Sequence, residues 1–271
     1  MDDERLLVDG KSVTQIASIV VSAGRMAERF RKDSQLEVLR KSLGNFVTQA
    51  DVAIEDYLKE QLGKLDERIG FIAEESTSND DQQCFWAIDP IDGTGNYLSG
   101  FPYAISVALV EDGMTCLAMI FDPERDELWF GIRGGGAFRL RNASEASLLE
   151  SSSLVGLSEP IKLLATPDLE GNVIFGMPYD RAKTARILEY VEVLSKSTGD
   201  IKRIGPASLD ICRVSAGQAV LYLELDLEVW DYAAGELILE EAGGVSLHCN
   251  ELSLFGTKEM VELAKRELLS S

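Results

Sequence analysis

The run Trp86-Ala87-Ile88-Asp89-Pro90-Ile91-Asp92-Gly93-Thr94-Gly95-Asn96 sets two aspartates against a glycine-rich turn. The apolar residues Phe85 to Ile88 predict a buried strand, which delivers Asp89, a rigid proline, Asp92 and a Gly-Thr-Gly turn. Pro90 fixes its own φ and pushes Asp89 toward extended geometry, so the backbone holds both acids in place. Hard divalent cations favour such carboxylate oxygens, and free backbone N–H groups in a tight turn favour phosphate.

Upstream, apolar positions Val13, Ile16, Ile19, Val20 and Ala27 share one face of an expected helix over 11–32, followed by a short strand over 36–40. Residues 41–45, with Gly44, read as an exposed turn. Thr48 opens a second expected helix running to Lys64, with Asp51 and Glu55 in its first turns, where negative charge suits the helix dipole. A strand over 68–73 would then end at Glu74, followed by a polar loop over 76–83. Downstream, alternating segments over 103–111, 115–122, 127–132 and 135–140 are separated by turn residues and predict an antiparallel meander.

The Ser/Glu-rich stretch from Asn142 to Ser153 marks a boundary, giving an N-terminal α+β half, 1–145, and a C-terminal α/β half, 146–271. In the second half strands are expected over 173–176, 200–204, 219–224 and 245–248. Helices are expected over 181–195, 207–216, 231–242 and 258–269.

The 271 residues suffice for a substantial core. Acidic residues outnumber basic ones 46 to 26, and the net charge of −20 argues against nucleic-acid partners and anionic membrane surfaces. The opening Met1 to Arg5 is charged and no apolar run reaches bilayer-spanning length, so a cytoplasmic protein is expected. Cys84, Cys116, Cys212 and Cys249 form no C-x-x-C pair and are expected to be free and mostly buried thiols. The single histidine, His248, leaves a His-dependent nucleophilic triad hard to build and reads as structural.

The central run resembles the D-P-I-D-G-T-x-N signature of the lithium-sensitive, magnesium-dependent phosphomonoesterases typified by inositol monophosphatase. Four more segments match in that family's order: Phe46-Val-Thr48-Gln-Ala-Asp51, Phe71-Ile-Ala-Glu74-Glu75-Ser76, Gly205-Pro-Ala-Ser-Leu-Asp210 and Trp230-Asp231-Tyr-Ala-Ala-Gly235. An ordered set of this kind is far more specific than any one part. The resemblance implies a layered α-β-α-β-α sandwich, a homodimer, two to three Mg²⁺ ions per site, and lithium inhibition.

Carried over residue by residue, the resemblance implies that Glu74, Asp89 and the Ile91 carbonyl hold a first ion. Asp89, Asp92 and Asp231 would hold a second, with a weaker third ion near Glu74. Thr94 bonded to Asp51 would orient and deprotonate the attacking water, with help from Glu74. The N–H groups of Gly93, Thr94 and Gly95 would bind the phosphate, joined by Asp92. Glu224 would accept bonds from substrate hydroxyls, and Gly205-Pro206-Ala207 would wall the pocket.

Some of these residues also have a plainer explanation. Asp51 and Asp231 suit helix N-termini, Gly-Thr-Gly suits an ordinary turn, and Glu224 suits the solvated face of Glu-Leu-Asp-Leu-Glu. Trp86 reads as core, and Trp230 as packing under Asp231.

Four positions depart from the family pattern: Gly95 for a usual Thr, Ala73 for Gly, Asn45 for Asp, and Pro206 for Ser or Thr. None removes an implied ligand. The expected substrate is inositol monophosphate or a similar small polyol or sugar phosphate. Fructose 1,6-bisphosphatase or 3′(2′),5′-bisphosphate nucleotidase activity is the alternative on the same scaffold, and a non-catalytic regulatory protein is the alternative of another class.

Overall fold

The computed structural model describes residues 10–33, 36–42, 45–76, 83–145, 153–162 and 171–269. The expected turn at Gly44, most of the polar loop over 76–83 and the middle of the boundary stretch lie outside these residues.

Helix α1 (Gly10–Arg31) and helix α2 (Gln49–Gly63) flank the hairpin β1 (Val38–Ser42) and β2 (Asn45–Thr48). Lys41 and Ser42, expected in a turn, belong to β1, which pairs antiparallel with β2. Thr48 is the N-cap of α2: its hydroxyl accepts from the N–H groups of Ala50 and Asp51, while Asp51 accepts the Thr48 N–H in return. Such a reciprocal box satisfies donors that a helix start would otherwise leave bare.

β3 (Gly70–Ala73) and β4 (Cys84–Asp92) lead into the short helix α3 (Thr94–Ser99). The meander follows as β5 (Ala104–Glu111), β6 (Met114–Asp122), β7 (Glu127–Ile132) and β8 (Gly136–Arg141). With β9 (Glu159–Ile161) these strands form a seven-stranded sheet in the order β3-β4-β5-β6-β7-β8-β9. β4 pairs parallel with β3 and antiparallel with β5.

Strand β4 runs past the apolar run expected for it, through both aspartates. The ladder to β5 breaks between Asp89 and Asp92, so Pro90 sits in a bulge where no backbone donor is needed.

The second half holds β10 (Asn172–Phe175), α4 (Arg181–Leu194), β11 (Asp200–Lys202), α5 (Ala207–Ser215), β12 (Leu221–Leu225) and α6 (Val229–Ala242). It ends with β13 (Val245–Cys249), β14 (Leu252–Gly256) and α7 (Lys258–Leu269). Its sheet has the order β11-β10-β12-β14-β13, parallel among β11, β10 and β12 and antiparallel at β14 and β13. Strands β2, β9 and β14 are additions to the expected element set. α6 starts two residues earlier than expected, with Glu228 as its N-cap.

Strand alternation builds the layers. On β4 and β5 the large residues Trp86, Ile88, Ile105, Val107 and Leu109 point toward α1 and α2, where they pack with Ile16, Val20, Ile54 and Leu58. The opposite face carries small residues, Ala87, Ala108, Ala118 and Ala137, which let α6 settle on the sheet through Leu237 and Ile238. A Cβ at Gly131 would come within 3.3 Å of the Ile238 backbone.

α5 and α6 face the second sheet with Ile211 and Leu239 against Tyr222 and Phe255. α4 and α7 cover its far side through Ile187, Leu194, Met260 and Val261. The result is the expected α-β-α-β-α sandwich. Each fully buried large aliphatic side chain in these layers contributes about 1.5–3 kcal/mol. Of the four cysteines only Cys212 is buried; the other three are half-buried, a correction to the expectation of mostly buried thiols, and all four are free.

Candidate active site

The end of β4, the start of α3, the loop after β10, the turn before α5, the end of β12 and the start of α6 line one cavity of about 340 Å³. Of the implied site residues, Glu74, Asp89, Ile91, Asp92, Gly93, Thr94, Gly95, Ala207, Glu224 and Asp231 all line it.

Asp51 reaches the cavity edge through a bond: the Thr94 hydroxyl donates to Asp51 Oδ1 at 3.0 Å, while Asp51 Oδ2 accepts the Thr48 N–H at 2.7 Å. The helix-start and site explanations of Asp51 therefore hold together, one oxygen for each. Asp51 is fully buried, and burial pushes its carboxyl above the usual range against the hydrogen bonds from Thr48 and Thr94.

The four candidate ligands come from different elements. Glu74 follows β3, and its N–H donates to the Ile88 carbonyl. Asp89 accepts the Ile91 N–H at 3.0 Å. Asp92 accepts the Ser208 N–H at the start of α5 at 2.8 Å. Asp231, third residue of α6, accepts the Glu228 N–H at 2.7 Å, so it caps its helix and faces the cavity at once.

Burial and mutual repulsion act in one direction on these acids. Glu74 is pushed up to about 7, first by burial, with Glu75 and Asp51 adding to it and Lys41 opposing. Asp92 is pushed up to about 6 by burial, against bonds from the Ser208 and Ala207 backbone. Asp89 is raised by burial and then by Glu74, Asp92 and Asp231; Asp231 is raised by burial and Asp92.

Acids so placed need a proton or a cation between them. All the donors are hard oxygens, the set that Mg²⁺ accepts. Among the described residues no three acid, imidazole or thiol groups close on a single point, and Glu74 turns toward Lys41 Nζ at 3.4 Å. The fit to a hard cation is therefore one of donor chemistry and of shared lining of one cavity.

The turn has its own constraint. Gly93 has φ of 86°, and a Cβ there would lie 2.9 Å from Pro206 Cβ, so glycine alone suits the position. Pro206 thus presses on the turn from the opposite wall. That wall is fixed by a buried pair: Asp210 accepts the Gly205 N–H at 2.7 Å and pairs with Arg213, whose guanidinium also reaches the Gly205 carbonyl.

Glu224 corrects its plainer explanation. The β12 alternation is real, with Leu223 and Leu225 packed toward α4 and α7, yet the other face is not solvated because α5 and α6 cover it. Glu224 accepts the Tyr222 hydroxyl, and burial pushes its carboxyl up to about 7, with Asp92 and Asp210 adding to the shift. A Cβ at Gly176 would collide with this carboxylate, 1.9 Å from its nearer oxygen. His248 bonds Ser253 Oγ and Glu236 away from the cavity, as expected of a structural residue.

Residues 9–270 match the inositol monophosphatase family. The chain belongs to that family. It is 36% identical to inositol-1-monophosphatase of Rhizobium meliloti over 235 residues, covering 84% of this chain and 81% of the relative. It is 34% identical to Nus factor SuhB of Xylella fastidiosa, also over 235 residues, covering 84% and 79%. The solved structure of extragenic suppressor protein suhB from Bartonella henselae superposes with a TM-score of 0.80 at 29% identity, covering 93% of this chain and 95% of that one.

Family membership makes phosphatase chemistry the baseline for the cavity. Four residues at or beside it escaped sequence reasoning as site groups: Lys41, Arg203, Tyr222 and Arg213. Tyr222 could have been found from its place two residues before Glu224 on one strand face. Lys41 and Arg203 carry no local signal.

Proposed function

We propose that this chain is a Mg²⁺-dependent phosphomonoesterase acting on inositol monophosphate or a similar small sugar or polyol phosphate. The observation that carries this reading is the Thr94–Asp51 hydrogen bond of 3.0 Å at the edge of a cavity walled by Glu74, Asp89, Asp92 and Asp231. Magnesium, held by those four carboxylates and the Ile91 carbonyl, would supply charge neutralisation at the phosphoryl group and acidify water.

The protein's own part is positioning. Asp51, fixed by Thr48, holds the Thr94 hydroxyl in one orientation, ready to take part in a proton relay from water, and Glu74 stands across the same space. The N–H groups of Gly93, Thr94 and Gly95 would receive the phosphate oxygens. Glu224, with its proton balance set by burial and Tyr222, would accept bonds from substrate hydroxyls.

Residues 1–145 and 146–271 are proposed as two halves, with Asp231 and Glu224 supplied to the site by the second. Cytoplasmic location, dimerisation and lithium sensitivity belong to the same proposal. Among the described residues no helix is long and apolar enough to cross a membrane.

The test is phosphate release from inositol 1-phosphate, fructose 1,6-bisphosphate and 3′-phosphoadenosine 5′-phosphate, each with Mg²⁺ and with EDTA. Metal-dependent turnover of at least one is the expected result. No turnover of any, by protein that still binds Mg²⁺, would leave the regulatory alternative standing.

A further inference from the structure

By sequence alone Glu55 suits the negative charge wanted near a helix start, but it is the seventh residue of α2, past the first turn to which that preference is confined. It is also buried, on a helix whose neighbouring buried positions, Ile54 and Leu58, are apolar. A buried acid and its counter-ion contribute little to stability compared with apolar side chains of similar size. Stability alone gives no reason for an acid at this position.

The reason lies in what its two oxygens hold. Glu55 Oε2 accepts the Glu75 N–H at 2.8 Å, and Oε1 accepts from Lys59 Nζ at 2.8 Å. Lys59, one turn further along the helix, also donates to the Ser76 hydroxyl. The same short segment begins with Glu74, whose own N–H donates to the Ile88 carbonyl on β4. Residues 74–76 are thereby tied to the sheet at one end and to α2 at the other.

Asp51, Glu55 and Lys59 stand at intervals of four, so they share one face of α2 and follow one another about 6 Å apart along its axis. The first of this row holds Thr94, and the next two hold the backbone and side chain that follow Glu74. One helix face therefore sets the spacing between the hydroxyl assigned to proton handling and a carboxylate assigned to the cation. The Glu74 carboxylate meets Lys41 Nζ at 3.4 Å, a long contact that fixes its direction less than its anchored backbone does.

We propose that Glu55, supported by Lys59, is a positioning residue that acts through the Glu75 backbone to aim Glu74 at the cation site in register with Thr94. This rests on the Mg²⁺-dependent reading above. Partners that orient a metal ligand in this way are worth about ten- to a hundredfold in metal affinity.

The test is Mg²⁺ affinity by calorimetry on substrate-free protein, with a melting curve for each variant. Glu55→Leu should weaken Mg²⁺ binding about tenfold. Glu55→Gln keeps an oxygen that can accept the Glu75 N–H and should recover most of that loss. Lys59→Met should weaken binding about threefold, and it carries the test alone if Glu55→Leu does not fold. Leu194→Ala, which empties a buried position under α4, should lower the melting temperature and leave Mg²⁺ affinity at the wild-type value. Wild-type affinity in the folded Glu55→Leu and Lys59→Met proteins overturns the proposal. So does a Glu55→Gln protein as weak as Glu55→Leu, or a Leu194→Ala protein that loses as much affinity as either. Wild-type protein that binds no Mg²⁺ would instead remove the metal-dependent reading itself.

Discussion

The two walls of the cavity are built on different terms. On the β4 wall, Asp89, Asp92 and Thr94 are buried and held by backbone bonds and by Asp51. On the facing wall, Tyr179 and Arg203 stand on loops and are exposed, even though the turn at Gly205, two residues after Arg203, is clamped by Asp210. In the proposed reaction the buried wall would fix the geometry that phosphoryl transfer needs, since misplaced groups lose most of their effect. The open wall can vary its side chains with little cost to the fold, and so it is where substrate choice can differ between relatives.

The sharpest way to break this contrast is Asp89→Asn. Removing the carboxylate charge that two ion sites would share should lower kcat by about a thousandfold or more, several kcal/mol of transition-state stabilisation. The fold should survive, because the amide is isosteric and removes a repelled buried acid; a melting curve and a phosphate-release assay check both halves. Activity within a few fold of wild type would end the account of the buried wall.

Thr94→Val comes next. It keeps the shape and removes the hydroxyl that Asp51 holds, so kcat should fall about a hundredfold or more while Mg²⁺ affinity, read by calorimetry, stays close to wild type. A loss of Mg²⁺ affinity equal to the loss in rate would reassign Thr94 from proton handling to shaping the ion site.

On the open wall Tyr179→Ala should move KM by no more than about tenfold, by different factors for different substrates, with kcat little changed. A uniform collapse of kcat would show that this loop belongs to the chemistry, and the contrast between walls would fail.

The smallest effect is expected far from both. Glu236 is half-buried, and desolvation alone would raise its carboxyl, but bonds from His248 and Ser246 hold it below the usual range. A lowered carboxylate stabilises the fold above its unfolded value of 4.5 and loses that contribution as pH falls through the folded value. His248→Gln should therefore cost about 1 kcal/mol or less at neutral pH. The difference from wild type should shrink below pH 4.5 in urea titrations and leave turnover untouched.

Much of the buried wall was legible in the sequence because it is local. Asp89, Pro90, Asp92 and the Gly-Thr-Gly turn lie within one short run, and an apolar stretch followed by a proline has few ways to fold. The extension of β4 through Asp92 was not legible, because it depends on a bulge opposite β5.

Glu224 shows a different limit. Alternation gave its strand face correctly, but whether that face meets water or helices depends on α5 and α6, which are remote in sequence. β14 was missed although Asn250, with a φ of 52°, marks the turn before it, because its apolar run is short and leads into a helix. Arg203 had no local signal, since its place at the cavity follows from the fold alone.

Asp51 carries one more consequence. One oxygen of its carboxylate closes the first turn of α2 and the other steadies Thr94. Under the proposed reaction this one carboxylate would answer to two kinds of selection, for folding and for turnover, that usually act on separate residues and often pull apart. On that reading variation at this position would not trade one for the other, and adaptation to heat or to new substrates would fall on other surfaces, such as the loops that carry Tyr179 and Arg203.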